Sequence, residues 1–424
     1  MSPTRKTRHD ESGQAIVLMV GAIVAICAMV GLIIDGGNAW AQQRIVQDGS
    51  DAAAEAGAIV MAQRFAGAAP PAGGWDAAVA AQVNASAAAN GMSLTAAYYT
   101  DICGIPLKPD GSAALTPGGA EDLASADQVG SGALPVDTTV TPDCPSRTAG
   151  PPVGVLVLGR KTVSTYVAGI IGVTSITVAT RATAVAGYLQ ESCSASEGEA
   201  CAVLPVTIPV NVTSCDGNND PVDTGVPWTL GQVYKVPLCQ NSPGSVGWLD
   251  WTPPSGGTSE LIGSINTADN PAIDLPSWQY LTQAGNVNSA GVESAIRQYD
   301  GQIVLIPQFD LSCSSSPTQG VTTYPYGCPA GNLGGTGQNQ WYRLPSFTHF
   351  QLCISTDPDC MAFGVNAPFG AYINGNNSSV CDTGNGATSC LVGKFVSIIS
   401  TGTVGPGIGG GSGNSKAVGV QLIR

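Results

Sequence analysis

Charge is what this sequence has least of. Lys, Arg, Asp and Glu together make up 11% of its 424 residues, against about a quarter in ordinary soluble domains. The little charge present leans acidic, with 30 acidic against 16 basic side chains. A nucleic-acid groove is therefore excluded, because neutralising phosphates needs clustered Lys and Arg. Histidine is nearly absent: only His9 and His349 occur, and no CxxC pair accompanies them. Zinc and iron–sulfur sites thus lack their usual ligands, and no cofactor is expected. Lack of hydrophobicity is not a feature, since 43% of residues are apolar, so disorder by that criterion is excluded as well.

One long apolar run stands out. Ala15 to Ile34 reads AIVLMVGAIVAICAMVGLII, twenty positions without a charge. As a helix this spans about 30 Å, the thickness of a bilayer core. Arg5, Lys6 and Arg8 precede it, and the next basic residue is Arg44. The positive-inside bias places residues 1–14 as a cytoplasmic tail and everything after Asp35 outside. Ala39-Trp40-Ala41 offers a signal-peptidase match, but the run exceeds a usual h-region of about 7–15 residues and the helical pattern continues through the cleavage point. The expectation is a single-pass anchor in the cell membrane with an extracellular ectodomain.

From Asn38 to about Phe65 the chain stays rich in helix formers and free of Pro. Gly49, Ala53 and Gly57 recur every fourth residue, a small-xxx-small stripe that permits close approach of another backbone. Ile45, Ala52, Ala56, Ile59 and Val60 continue an apolar face beside it. One helix of about fifty residues, leaving the membrane and docking on an outside domain, accounts for the pattern. An intramolecular core face and a filament-packing face both fit the stripe.

Cysteine usage points to an oxidising compartment. Of 13 Cys, Cys27 lies inside the apolar run. The remaining set is Cys103, Cys144, Cys193, Cys201, Cys215, Cys239, Cys313, Cys328, Cys353, Cys360, Cys381 and Cys390, an even number suited to six disulfides. Loop-closure entropy favours neighbours in sequence, 193 with 201, 215 with 239, 313 with 328, 353 with 360 and 381 with 390, leaving 103 with 144. Connectivity stays open at this stage.

The segment SGQAIVLMVGAIVAICAMVGLIIDGGNAWAQQRIVQDGSDAAAEAGA resembles the start of TadE/TadG-like proteins of the tight-adherence (Flp) pilus assembly system. The shared elements are Gly13-Gln14, the apolar span closing on Asp35-Gly36-Gly37, and a helix closing on Asp51-Ala52-Ala53-Ala54-Glu55-Ala56-Gly57-Ala58. AAQVNASAAANG (80–91) and VSTYVAGIIGVTSITVATRATAVA (163–186) extend the resemblance over most of residues 12–190. A type IV prepilin cut after Gly13 would carry Glu five residues on, where this chain has Leu18. The resemblance therefore implies an anchored TadG-like protein rather than a cleaved pseudopilin. Its implied partners are other pilus-assembly proteins.

Residues 35–190 read as a pilin-like α+β domain: a second helix over Gly74–Asn90, a strand over Ser93–Thr100, and a Gly/Pro/Asp-rich excursion to Pro152. Strands follow around Val153–Leu158 and Ile176–Ala184, with a short helix over Val163–Ile171 between them. Residues 191–424 hold ten of the Cys and no helical pattern beyond about ten residues, and read as a disulfide-rich all-β ectodomain. Its expected strands include Val203–Val212, Gln302–Phe309, Phe347–Ile354, Val392–Ser400 and Lys416–Ile423, and only Ala290–Tyr299 looks helical.

Several sites invite attention and fall short. Asp310-Leu311-Ser312-Cys313-Ser314 matches a D-x-S-x-S metal motif, but the chain remaining is too short for that fold. Asp216, Asn218 and Asp220 have calcium-loop spacing, yet Pro221 stands where Gly is needed. Trp248, Trp251, Trp278, Trp341 and Tyr342 suit either a β core or a surface glycan platform. His349, between Phe347 and Phe350, reads as structural. No catalytic or metal set emerges, so no enzymatic activity is expected. Two functions remain: a membrane-anchored, non-enzymatic component of pilus assembly, or an adhesin presenting the β ectodomain to glycans.

Overall fold

The computed structural model describes residues 12–192, 196, 202–215, 221–237, 247–249, 251, 258–281, 290–314, 340–363, 365, 370–373, 390–397, 399–401, 403–405 and 417–423. Its first element is a helix of 54 residues, α1 (Ser12–Phe65), followed by α2 (Gly74–Ala89). The two halves of α1 live in different surroundings. From Ile16 to Ile34 every described side chain is exposed, with Gly31 the one buried position. This is a helix long and apolar enough to cross a membrane. Beyond it, Val46, Gly49, Ser50, Ala53, Gly57, Val60 and Met61 are buried at helical spacing, a stripe that must face a core.

That core is a sheet whose first three strands are β1 (Ser93–Thr100), β2 (Gly154–Ser164) and β3 (Ser175–Leu189). β2 and β3 form an unbroken antiparallel ladder from Gly154 opposite Val185 to Ser164 opposite Ser175. Helix α2 buries Asp76, Val79, Val83 and Ala87, one face at 3.6-residue spacing, and ends at Asn90 with Gly91 at a φ of 60°. Ala53, Ala58 and Met61 of α1 join Val79 and Val83 of α2 and Tyr99, Val155, Val157 and Ala184 of the sheet in one apolar cluster.

The sheet does not end within residues 35–190. Strand Val418–Ile423 pairs antiparallel with β3, from Val418 opposite Tyr188 to Ile423 opposite Thr183. Strand Ile399–Thr401 pairs parallel with it, and Val404–Gly405 also pairs with β3. Val418 and Val420 are buried in the cluster under α1. The reason is local: β3 is buried on its inner face along most of its length, and an open edge there would leave its ladder groups unpaired.

The excursion between β1 and β2 is held at three points. Cys103 is disulfide-bonded to Cys144. Asp101, fully buried, accepts the N–H groups of Cys103, Ile105 and Gly150. Asp76 of α2 accepts the Tyr99 hydroxyl and the N–H groups of Gly130 and Gly132. Buried carboxylates saturated by backbone donors are how a Gly-rich loop stays ordered without a core of its own.

The largest element built by the remaining described residues is a second, seven-stranded sheet, with smaller two- and three-stranded sheets beside it. Ser346–Leu352 pairs antiparallel with Ile303–Phe309 and with Cys390–Val396, and Ile303–Phe309 pairs parallel with Val206–Pro209. Within its core Trp228 stacks on Phe395, and Phe350 meets Phe395 edge-on. This region is not all-β. Helix α3 (Thr258–Asn266) and helix α4 (Ala290–Arg297) pack on each other, burying Leu261, Ile265, Val292 and Ile296. Gly263 interrupts the helical pattern of α3 in the sequence, whereas tertiary burial of Leu261 and Ile265 overrides that weak propensity. A third, smaller core, with Leu189, Val203, Phe309, Tyr342, Phe347 and Ala417, joins the two sheets.

Candidate functional site

The residue with the most unusual surroundings is Asp35, which follows directly on the uncharged run. Its carboxylate is 5% exposed and accepts three backbone N–H groups: Tyr166 at 2.6 Å, Val167 at 3.1 Å and Ala168 at 2.6 Å. Those donors belong to the loop at the end of the β2–β3 hairpin, where residues Ala168–Ile171 form one 3₁₀ turn. The first N–H groups of such a turn have no partner inside it. Val167 at the cap position supplies no side-chain bond, so an acid from another element caps the turn across more than 130 residues of sequence. The bonds from Ala168 and then Tyr166 hold the Asp35 carboxyl below its ordinary range, against the opposing effect of desolvation.

One turn earlier, the helix itself is shaped for the hairpin. A Cβ placed on Gly31 would lie 2.4 Å from Cγ1 of Val167. Only glycine admits that contact. Hairpin and helix thus touch on both sides of the boundary between the apolar run and Asp35.

Further along α1 the contacts become a seam. Ser50 Oγ lies 2.6 Å from Thr180 Oγ1 and 3.1 Å from the Met92 sulfur, and Gln47 Nε2 donates to the Arg181 carbonyl at 3.1 Å. The small residues singled out in the sequence lie on this seam. A Cβ on Gly49 would meet Asn90 and Met92, and one on Gly57 would meet Val155 and Val83 at 2.9 Å, while Ala53 is fully buried. The stripe therefore faces α2 and the sheet of its own chain.

The other sequence candidates are dispersed. Besides Cys103–Cys144, a disulfide joins Cys353 to Cys360, and Cys390 is disulfide-bonded too. Cys27 is free and exposed on the apolar half of α1. The side chains of Cys193, Cys201, Cys215, Cys239, Cys313, Cys328 and Cys381 lie outside the described residues, as do Asp216, Asn218 and Asp220. Asp310 is committed to an ion pair with Arg343, whose Nε lies 2.8 Å from Oδ1. Trp248 and Tyr342 are buried, Tyr342 edge-on to Phe309, so these two do not present a sugar-stacking face. The Trp341 side chain lies outside the described residues.

A cleft of about 780 Å³ lies beside the second sheet, lined in part by Leu204, Ser264, Tyr299, Gln302 and His349. Burial lowers the His349 pKa to about 4, so it is neutral at physiological pH. Among the described residues, the cleft lining besides His349 carries no Asp, Glu, Lys, Arg or Cys. No cluster of three or more His, Cys, Asp or Glu suited to a metal occurs among the described residues.

In the sequence Asp35 stands only as the close of a shared motif, and neither Gly31 nor the hairpin tip is marked by a motif of its own. Two signals were available: a lone acid closing twenty uncharged residues, and the absence of any charge from Thr162 to Thr180.

Residues 13–64 match the family model described as "Putative Flp pilus-assembly TadE/G-like". The matched segment is nearly all of α1, including the apolar half, Gly31, Asp35 and the buried stripe. No curated protein and no solved structure matches the chain.

Proposed function

We propose that this chain is a membrane-anchored, non-enzymatic component of Flp-type pilus assembly that works through protein contacts outside the membrane. The observation that carries the reading is the family match over α1, the helix that runs from an exposed apolar half into the core of the first sheet. Arg5, Lys6 and Arg8 before the span support a cytoplasmic N-terminus, and disulfides support an oxidising exterior.

Two measurements test this. Protease added to spheroplasts is expected to digest the region beyond Asp35 and spare an epitope placed before Ala15; the opposite pattern reverses the topology. Deletion of the chain is expected to reduce surface pili counted by electron microscopy, with recovery on complementation. Unchanged pili would remove the assembly role.

A further inference from the structure

The hairpin tip has an unusual surface for a loop. Tyr166 is 72% exposed, Ile170 84% and Val173 48%. No charged side chain occurs from Thr162 to Thr180, whereas exposed tips of soluble proteins are normally polar. Exposed apolar side chains gathered in one place mark a surface that something covers.

Position identifies the cover. Val167 sits on Gly31, four residues before Asp35 and so about 6 Å of helix rise inside the apolar run. The tip therefore lies beside the last turn of that run, at the same depth as Ile33 and Ile34, themselves exposed. Asp35 bonds to three tip N–H groups, so tip and helix end form one rigid piece. Just beyond, Trp40 is 62% exposed with the Arg44 guanidinium 4.8 Å from its ring centre, the amphipathic chemistry found at a membrane–water boundary. Arg160 and Lys161 stand back from the tip on β2, opposite Ala179 and Val178, and form no ion pair among the described residues.

We propose that the β2–β3 hairpin tip is a second membrane contact, dipping into the outer boundary of the bilayer beside α1. Tyr166, Ile170 and Val173 meet the upper acyl chains, and Arg160 and Lys161 face lipid phosphates. The occupant is lipid because the tip is continuous with a helix surface that is itself exposed and apolar. This inference rests on residues 15–34 spanning a membrane. Its consequence is orientation: a single helix is free to rotate about its axis, whereas two contacts fix which face of the outer domain looks along the membrane.

The test uses the full chain in vesicles of phosphatidylcholine with a minority of phosphatidylglycerol, doped with a lipid bearing a nitroxide on its upper acyl chain. An environment-sensitive dye is attached, without reductant, to Cys27, or to Ile170→Cys or Val136→Cys in a Cys27→Ala background. Val136 is an exposed control in the β1–β2 excursion. The dye at 170 is expected to shift to the blue and lose most of its emission, while the dye at 136 does neither. An unquenched dye at 170 with a quenched dye on Cys27 overturns the proposal and leaves the span intact. If Cys27 is unquenched as well, the span itself is refuted and the proposal falls with it. Crosslinking of Ile170→Cys between two copies, without quenching, would show that a second copy covers the tip and would likewise overturn the lipid contact. Asp35→Ala is expected to reduce the quenching at 170 while leaving Cys27 quenched, because the tip is then released from the helix; undiminished quenching at 170 would overturn the clamped geometry that positions the tip.

Discussion

Asp35 keeps its charge where burial would discourage it, because three N–H donors converge on it. Asp35→Ala leaves those donors without a partner and is expected to speed hydrogen exchange at the Tyr166, Val167 and Ala168 amides. Asp35→Asn, which keeps one acceptor oxygen, is expected to give an intermediate rate. Equal protection in wild type and Asp35→Ala would mean that the clamp is dispensable. The sign of its pH dependence follows from a lowered folded pKa: the contribution is present above the ordinary carboxylate pKa and is lost as pH falls through the folded one. His349 behaves in the other sense. Its folded pKa of about 4 lies below the unfolded value near 6.5, so the unfolded chain binds the extra proton between those limits. Stability is expected to fall as pH drops through that window, by up to about 1.4 kcal/mol per unit. Thermal melts of the ectodomain at stepped pH check this, and His349→Gln is expected to flatten that part of the profile.

Among elements, α1 is the one whose two environments are decided by side-chain size. Gly57 has no room for a Cβ between Val83 and Val155, each 2.9 Å away. Gly57→Leu is expected to cost about 1–3 kcal/mol of first-domain stability through overpacking. A melting temperature equal to wild type, with pili lost, would instead mark the position as a partner surface. The physical legibility of this helix is high: its apolar run and its stripe are both periodic and local, and so is the apolar face of α2. The helix expected over Val163–Ile171 is in the structure the end of β2 followed by a 3₁₀ turn at Ala168–Ile171, because the sequence shows apolar residues but not the ladder that carries β2 on to Ser164. Helix α3 was hidden by Gly263. The Asp35 clamp was illegible because a carboxylate bonded to backbone N–H groups leaves no trace in the partner's side chains. Tyr166, Val167 and Ala168 could be almost any residues and still donate.

The whole molecule is less divisible than its composition suggests. A change in cysteine and helix content near Gln190 marks a boundary in sequence, yet strand Val418–Ile423 crosses back to finish the first sheet, and the third core ties Leu189 to Phe347 and Ala417. No periodicity can announce such a pairing, since a strand's pattern states which face is buried but not which edge it joins. A fragment of residues 38–190 is therefore expected to expose the edge of β3 and aggregate, whereas residues 38–424 remain monomeric. Size-exclusion chromatography of both decides it: a monomeric, cooperatively melting short fragment would show that the returning strand is dispensable.

That returning strand also sets a timetable. More than 200 residues separate β3 from its partner at Val418, so at about 5–20 residues per second the ribosome needs roughly ten to forty seconds to deliver it. Through that interval α1 is complete while the sheet it packs on has an open flank. Synthesis and folding of this chain are thus coupled: the first domain to be made is among the last to be finished, and its unfinished edge is where a chaperone or a neighbouring strand would compete.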